Sequence, residues 1–271
     1  MSSSDRHDWM ADQVSASADN DATAAAARHG GNCPEHGYFE ALQLPGRMVS
    51  RCPQCIEAEH ARHFAEQDRR RLAALEQRRQ EQHEEALTRA NLRGRFRHVS
   101  FATFSAETPA QQRVLKACHD FAAGPLDAWR VLLLLGTPGS GKTHLGAAMA
   151  HTVIARGRSA LMLTARELVR RLRATWARDS SETEQDVIDH LARCSLLVLD
   201  ELGVGFGTDA ELVQLLDVID TRYRECRPTV VISNLTAEQL RVLLGERLSD
   251  RIREASELHL CTWPSHRRPS A

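Results

Sequence analysis

Residues 131–143 read VLLLLGTPGSGKT, an apolar run that passes into a glycine-rich loop closing on Lys142 and Thr143. This is the G-x-x-x-x-G-K-[ST] pattern in the setting it requires, with a strand before it and a helix after it. Gly136, Gly139 and Gly141 free the backbone to turn successive N–H groups inward around phosphate oxygens. The Lys142 ammonium suits β- and γ-phosphates, and the Thr143 hydroxyl suits Mg²⁺. His144 to Arg156 reads as a helix whose N-terminus adds partial positive charge. The expected ATP-binding set is therefore Gly136, Thr137, Pro138, Gly139, Ser140, Gly141, Lys142, Thr143 and His144. The chain is expected to bind a nucleoside triphosphate.

A second half of that site is expected at Leu196-Leu197-Val198-Leu199-Asp200-Glu201. Four consecutive apolar residues suit a parallel strand covered on both faces. Its two carboxylates fall at the C-terminal end, where open α/β sheets bind ligands. Asp200 is expected to hold Mg²⁺ and Glu201 to orient and deprotonate an attacking water, which favours hydrolysis over nucleotide storage. An acidic pair after a buried strand also suits a solvated turn; its pairing with the phosphate loop favours the site.

With 271 residues, the chain has room for one α/β domain and a smaller appendage. A net charge of −1 leaves any nucleic-acid contact to a local patch. No apolar run approaches a membrane span and the first residues lack a signal-peptide core, so no membrane is expected. Seven cysteines, several isolated among the later residues, suit a reducing compartment, and a cytoplasmic location is expected.

Composition divides the chain into three. Residues 1–32, rich in Ser, Ala and Asp, are expected to form a disordered tail. Residues 33–93 combine a cysteine/histidine pattern with a Glu-, Gln- and Arg-rich helix carrying sparse apolar points at Phe64, Leu72, Leu75 and Leu87. Residues 94–271 are globular. In the middle segment Cys33-Pro-Glu-His36 and Cys52-Pro-Gln-Cys55 form two knuckle-like pairs separated by 15 residues, the spacing of structural zinc sites. So short a segment has almost no core, and a metal would supply folding energy. Zn²⁺ is expected on Cys33, His36, Cys52 and Cys55, with His60 and His63 left on the helix surface; unligated cysteines on a loose segment are the alternative.

The globular part alternates helices and strands, which implies a parallel sheet flanked by helices. The pattern predicts a leading helix Pro109–Ala123 and strands at 131–135, Ser159–Leu163, 196–200, Thr229–Ile232 and Leu258–Cys261. Helices are predicted at Ala165–Ala177, at 182–192 behind a Ser181/Glu184 capping box, at Asp209–Glu225, after a Thr236/Gln239 capping box, and at 246–254. Asn234, at a strand end, can reach between a γ-phosphate and the lytic water, although a turn-forming Asn there is as good a reading. Arg247 and Arg251 share a helix face, so one of them could act on a neighbouring subunit's nucleotide, and the same face suits surface salt bridges. Arg166, Arg170, Arg171, Arg173 and Arg178 crowd one short helix with Trp176 nearby. That stripe suits a phosphate backbone with Trp176 stacking on a base, or a solvated face with Trp176 in the core.

GTPGSGKTHL, LLVLDELG, ISNL and LGERLSDRI, in this order and spacing, resemble the AAA+ ATPases of the DnaC/IstB family, above all the DnaC-type replicative helicase loaders. The likeness covers about residues 96–268 and implies an AAA+ P-loop fold with no or minimal C-terminal lid. It implies Walker A roles for Lys142 and Thr143, Walker B roles for Asp200 and Glu201, and sensor 1 for Asn234. Arg251 becomes the arginine finger and Arg267 a sensor 2 candidate. It further implies a hexameric replicative helicase as partner, single-stranded DNA on the Arg166–Trp176 helix, self-association into a ring or spiral, and an ATPase that is weak until assembled. An IstB-like ATPase that assists a transposase on duplex DNA is the alternative within the family.

Overall fold

A computed structural model describes residues 28–42, 51–203 and 208–266. It divides the chain into one unit that ends at Glu76 and a larger one that starts at Gln77.

The first unit holds a hairpin. β1 (Arg28–Cys33) pairs antiparallel with β2 (Gly37–Leu42), Cys33 opposite Gly37 across a three-residue turn. Gly37 leaves the turn at φ 75°, a conformation that a side chain would strain. β1 thus begins inside the segment expected to be a tail; residues 1–27 lie outside those described. α1 (Pro53–Arg89) starts with proline at its first position, where the missing N–H has no partner to lose. From Glu59 to Glu85 every residue of α1 is exposed, Phe64, Leu72 and Leu75 among them. Pairs at i, i+4 such as Glu66–Arg70 line its surface.

The second unit takes in the last turns of α1, whose Ala86 and Leu87 reach its core with Ala90 and Leu92. There follow α2 (Pro109–Ala123), β3 (Val131–Gly136), α3 (Lys142–Ala155), β4 (Ala160–Thr164), α4 (Ala165–Ala174) and α5 (Glu184–Arg193). β5 (Leu196–Asp200), α6 (Asp209–Arg224), β6 (Thr229–Ser233), α7 (Ala237–Arg253) and β7 (Ser256–Cys261) complete it. The five strands run parallel in the order β4-β5-β6-β3-β7. Strand alternation sends Leu132, Leu134, Val198 and Ile232 to a layer with α2 and α3, and Val131, Leu135, Leu197 and Leu199 to a layer with α4 to α7. Gly146 lets α3 lie close on the sheet: a Cβ there would meet Ile232 at 2.7 Å.

Four differences from the sequence reading have local causes. α5 is capped by Thr183 with Asp186 rather than Ser181 with Glu184, because Ser180 and Glu182 are bound to each other in the turn before it. α4 ends at Ala174, where the Thr175 hydroxyl takes the Leu172 carbonyl. β7 begins at Ser256, since pairing with Val131 recruits its polar first residues through the backbone. Gly245, at φ 71°, breaks α7, so the two predicted helices meet end to end.

One arginine holds the α5–β6 corner. Arg222 is fully buried and donates to the carbonyls of Leu191, Ala192, Cys194 and Pro228 and to the Thr229 hydroxyl. It satisfies the last carbonyls of α5, and burial pushes its basicity down. Among the described residues no helix is long and apolar enough to cross a membrane.

Candidate nucleotide cleft and metal centre

The glycine-rich loop joins β3 to α3 at the C-terminal edge of the sheet. Gly136 faces the Cys261 carbonyl so closely that a Cβ would lie 2.2 Å from it, and Gly139 turns at φ 81°. α3 starts at Lys142, so its free N–H groups point at the loop. Lys142 is buried, and its Nζ donates to the carbonyls of Gly136 and Thr137 at 2.8 Å each. The loop is therefore shaped around the ammonium by hydrogen bonds rather than by side-chain bulk.

Asp200, at the end of β5, is buried, which pushes its carboxyl up; bonds from Thr143 and the Glu201 N–H (2.8 Å) and the Lys142 charge oppose that. The two residues expected to share Mg²⁺ thus meet. Glu201 is exposed and sits in the left-handed region at φ 55°. For a non-glycine residue that conformation costs about 1–3 kcal/mol, and such strain gathers at functional sites. Ser233 donates to the Leu202 carbonyl at 2.5 Å and Leu202 to that of Ile232 at 3.1 Å, which ties the ends of β5 and β6 together.

These groups border an open cleft of about 570 Å³ lined by Pro138, Gly139, Gly141, Lys142, Thr143, His144, Asp200, Glu201 and Asn234. Gly136, Thr137 and Ser140 form the back of the loop instead; Thr137 donates to the Trp263 carbonyl at 3.2 Å, and Ser140 is fully buried. Sequence reasoning missed another wall. Arg95, Phe96, His98, Val99 and Thr103 also line the cleft. Two histidines of α3 hold that segment, His151 on the Phe96 carbonyl (2.8 Å) and His144 on that of Ser100 (3.1 Å). No motif marks this wall; its signal is an aromatic and β-branched cluster between α1 and α2. It offers apolar surface for a base beside a polar site for phosphates.

Arg247 and Arg251 lie outside the cleft lining and share Asp220, at 3.1 and 3.3 Å. Arg267 lies outside the described residues. On α4, Leu168, Val169 and Leu172 face the core while Arg166, Arg170 and Arg173 face solvent. Arg173 pairs with Glu211 at 3.1 Å and Arg171 with Glu182 at 3.7 Å. Trp176 is 60% exposed and its indole N–H donates to Glu184, so it is a surface residue.

In the first unit the ligand atoms of Cys33, His36, Cys52 and Cys55 all lie within 4.8 Å of one another. Cys33 Sγ is 3.5 Å from Cys55 Sγ and 3.6 Å from His36 Nδ1; Cys52 and Cys55 are 3.8 and 3.3 Å from that nitrogen. A tetrahedral zinc with usual bond lengths sets ligand separations of about 3.6–3.8 Å, so the donor set and its spacing fit the metal. The N–H of Glu35, with His36, holds the Cys33 thiol down to about 6, whereas its bond to Cys33 pushes Cys55 up to about 11. The nearby Cys33 thus opposes ionisation of Cys55, and a cation among the donors would relieve that opposition. His63, bonded to Gln67, and His60 lie on exposed α1, outside the cluster.

The model of the family described as IstB-like ATP binding protein matches residues 52–258. The chain belongs to this family, the DnaC/IstB family of AAA+ ATPases. Within it, the chain is 32% identical to the replicative helicase loader DnaC of Buchnera aphidicola subsp. Schizaphis graminum over 182 residues, 67% of this chain and 74% of that protein. It is 30% identical to DnaC of Escherichia coli K12 over 204 residues, 74% and 83% of the two chains. A crystal structure of the DnaC helicase loader superposes with a TM-score of 0.56 at 22% identity, covering 62% of this chain and 99% of that one, a likeness of fold.

Proposed function

We propose that the chain is an ATP-dependent loader of a hexameric replicative DNA helicase onto single-stranded DNA, acting in the cytoplasm. The observation that carries this reading is the extent of its likeness to DnaC loaders, which reaches 83% of the Escherichia coli protein's length. In this reading Lys142 and the loop N–H groups bind the β- and γ-phosphates. Thr143 and Asp200 would hold Mg²⁺, which supplies positive charge against the phosphate oxygens. Glu201 takes the proton of the attacking water, and Asn234 orients that water. Arg251 reaches the γ-phosphate of a neighbouring copy in a ring or spiral, so turnover rises on assembly. Cys33, His36, Cys52 and Cys55 would hold Zn²⁺, whose bonds supply folding energy that the hairpin lacks. That hairpin and α1 contact the helicase, and the α4 arginines with Trp176 follow single-stranded DNA.

The matching family is described as IstB-like ATP binding protein, and the second reading within it is an ATPase that assists a transposase on duplex DNA. Native mass spectrometry of the chain mixed with its host's replicative helicase, in ATP and then in ADP, separates the two. A complex of fixed stoichiometry that requires residues 33–93 supports the loader. No complex in either nucleotide, with tight binding to duplex DNA, overturns it.

A further inference from the structure

Beyond β7 the chain crosses the back of the phosphate loop. Trp263 is buried, and its Nε1 donates to the Ser140 carbonyl at 2.9 Å. The His266 N–H donates to the Gly139 carbonyl at 3.0 Å, and Thr137 N donates to the Cys261 carbonyl at 3.2 Å. Ser265 is so near that a Cβ on Gly139 would lie 1.9 Å from its Oγ. In a trans peptide the C=O of one residue and the N–H of the next point opposite ways. Bonds that draw the carbonyls of Gly139 and Ser140 toward this strap therefore turn the N–H groups of Ser140 and Gly141 away from it.

The strap also brings a side chain to the cleft. His266 is part of the cleft wall. Its Nε2 lies 3.2 Å from Nε2 of Gln111, a buried residue in the first turn of α2. The Gln111 amide cannot flip: its Oε1 already accepts from the N–H groups of Glu107 (2.9 Å) and Thr108 (2.7 Å) and from the Thr108 hydroxyl (3.0 Å). Its NH₂ must then donate to His266, so His266 Nε2 accepts and the ring proton resides on Nδ1. The imidazole keeps one N–H donor to offer.

We infer that His266, oriented by Gln111 and carried on the strap, is a nucleotide-contacting residue that donates its Nδ1–H to a phosphate oxygen. The inference rests on the nucleotide-binding reading of the cleft. Gln111 is a positioning residue: it fixes the tautomer through the same amide that caps α2. The strap thereby links the nucleotide to residues 261–266, so occupancy of the cleft holds the strap in place.

The test measures the affinity of the full chain for ATP and ADP by fluorescence titration, together with the side-chain ¹⁵N shifts of His266. A hydrogen bond to a charged oxygen carries roughly a ten- to hundredfold effect on affinity. His266→Phe, which keeps the ring's bulk without the donor, is expected to weaken ATP by about that factor, and His266→Gln to recover part of the loss. The shifts are expected to report an unprotonated Nε2, and Gln111→Leu to change that signature. Unaltered ATP affinity in His266→Phe, or a protonated Nε2 in the free protein, overturns the inference. Lys142→Ala serves as reference. If the unmodified chain binds no ATP, the reading of the cleft itself fails; if it binds in a Lys142-dependent way with His266→Phe silent, only the role of His266 fails.

Discussion

Arg251 Nε stands 3.3 Å from Asp220 Oδ1 while its guanidinium lies 4.3 Å over the ring of Tyr223. Arg247 takes the other oxygen of the same carboxylate at 3.1 Å. The two arginines that sequence spacing places on one face therefore share one acid, one on each oxygen, and of the two only Arg251 is also seated on an aromatic ring. An arginine held this way points in a fixed direction, which suits the proposed role toward a neighbouring copy. Arg251→Ala is expected to leave nucleotide affinity intact and to lower turnover of the assembled protein about 10³-fold or more. Arg247→Ala should be far milder. The Asp220 pairs are partly solvated, so each is worth at most about 1 kcal/mol of stability and folding will survive either change. Full turnover by an assembled Arg251→Ala protein would reject the role in trans.

Lys142, Glu201 and Asp200 should separate binding from chemistry. Lys142→Ala is expected to abolish ATP binding, since the loop carbonyls of Gly136 and Thr137 then have no cation between them and the phosphates. Glu201→Gln should bind ATP as before and hydrolyse it about 10²–10⁴-fold more slowly. Asp200→Asn should remove the dependence of binding on Mg²⁺. Isothermal titration with and without Mg²⁺, followed by a phosphate-release assay, checks all three. Unchanged ATP affinity in Lys142→Ala would sink the assignment of the loop.

The phosphate loop and the acidic strand were legible because each binds its chemistry to a run of neighbouring residues. Val131 to Thr143 carry strand, loop and helix start in one stretch, and Leu196 to Glu201 carry strand and acids in another. The zinc-type cluster was legible for the same reason, as two short pairs. The wall at Arg95 to Thr103 was not, and the strap at Trp263 to His266 was marked only by the resemblance that makes Arg267 a sensor 2 candidate. Their residues reach the cleft through tertiary contacts, such as the Phe96 carbonyl on His151 and Trp263 on the Ser140 carbonyl, that leave no periodic trace. The start of β7 was hidden likewise, because Ser256 and Glu257 join the sheet by backbone pairing alone.

The cap of α5 gives a direct comparison of two threonine- and serine-based readings. Thr183 accepts from Asp186 N–H and Asp186 Oδ2 accepts from Thr183 in return. Thr183→Ala is expected to cost about 1 kcal/mol of stability, and Ser181→Ala almost none. The Thr183 backbone and hydroxyl hold the Asp186 carboxyl below its usual range. A carboxylate with a depressed folded value stabilises fully above its unfolded value, near 3.9, and that contribution is lost as pH falls through the folded one. Chemical denaturation at pH 7 and pH 3 should therefore show a smaller deficit for Asp186→Asn at the lower pH. An equal deficit at both would remove the charge from the explanation.

Metal removal should act on the N-terminal unit alone. With ligand atoms all within 4.8 Å, the donor set of Cys33, His36, Cys52 and Cys55 is expected to bind one Zn²⁺ per chain. Replacing Cys52 and Cys55 with Ser, or adding a strong chelator, should unfold the hairpin and abolish helicase contact while the ATP affinity of the second unit persists. Elemental analysis of the purified chain, paired with ATP titration, reads both. Absence of zinc in protein prepared with zinc present would overturn the metal assignment.

The α4 surface offers arginines in two conditions, and they should behave differently toward DNA. Arg166 and Arg170 are exposed and have no carboxylate partner among the described residues, whereas Arg173 is already paired with Glu211 and Arg171 with Glu182. A phosphate that takes Arg173 must displace an acid; one that takes Arg166 or Arg170 displaces only water and counterions. Arg166→Ala and Arg170→Ala are each expected to lower single-strand affinity and to reduce the slope of log K against log salt by about 0.7. Arg173→Ala should change both less. Trp176, exposed and steered by its bond to Glu184, presents a face on which a base can stack. Its replacement by Ala should cost about 1–3 kcal/mol of binding with the salt slope unchanged, because stacking releases no ions. Fluorescence anisotropy of a labelled oligonucleotide over a salt series measures both quantities, and a slope indifferent to Arg166 and Arg170 would take the DNA path off this helix.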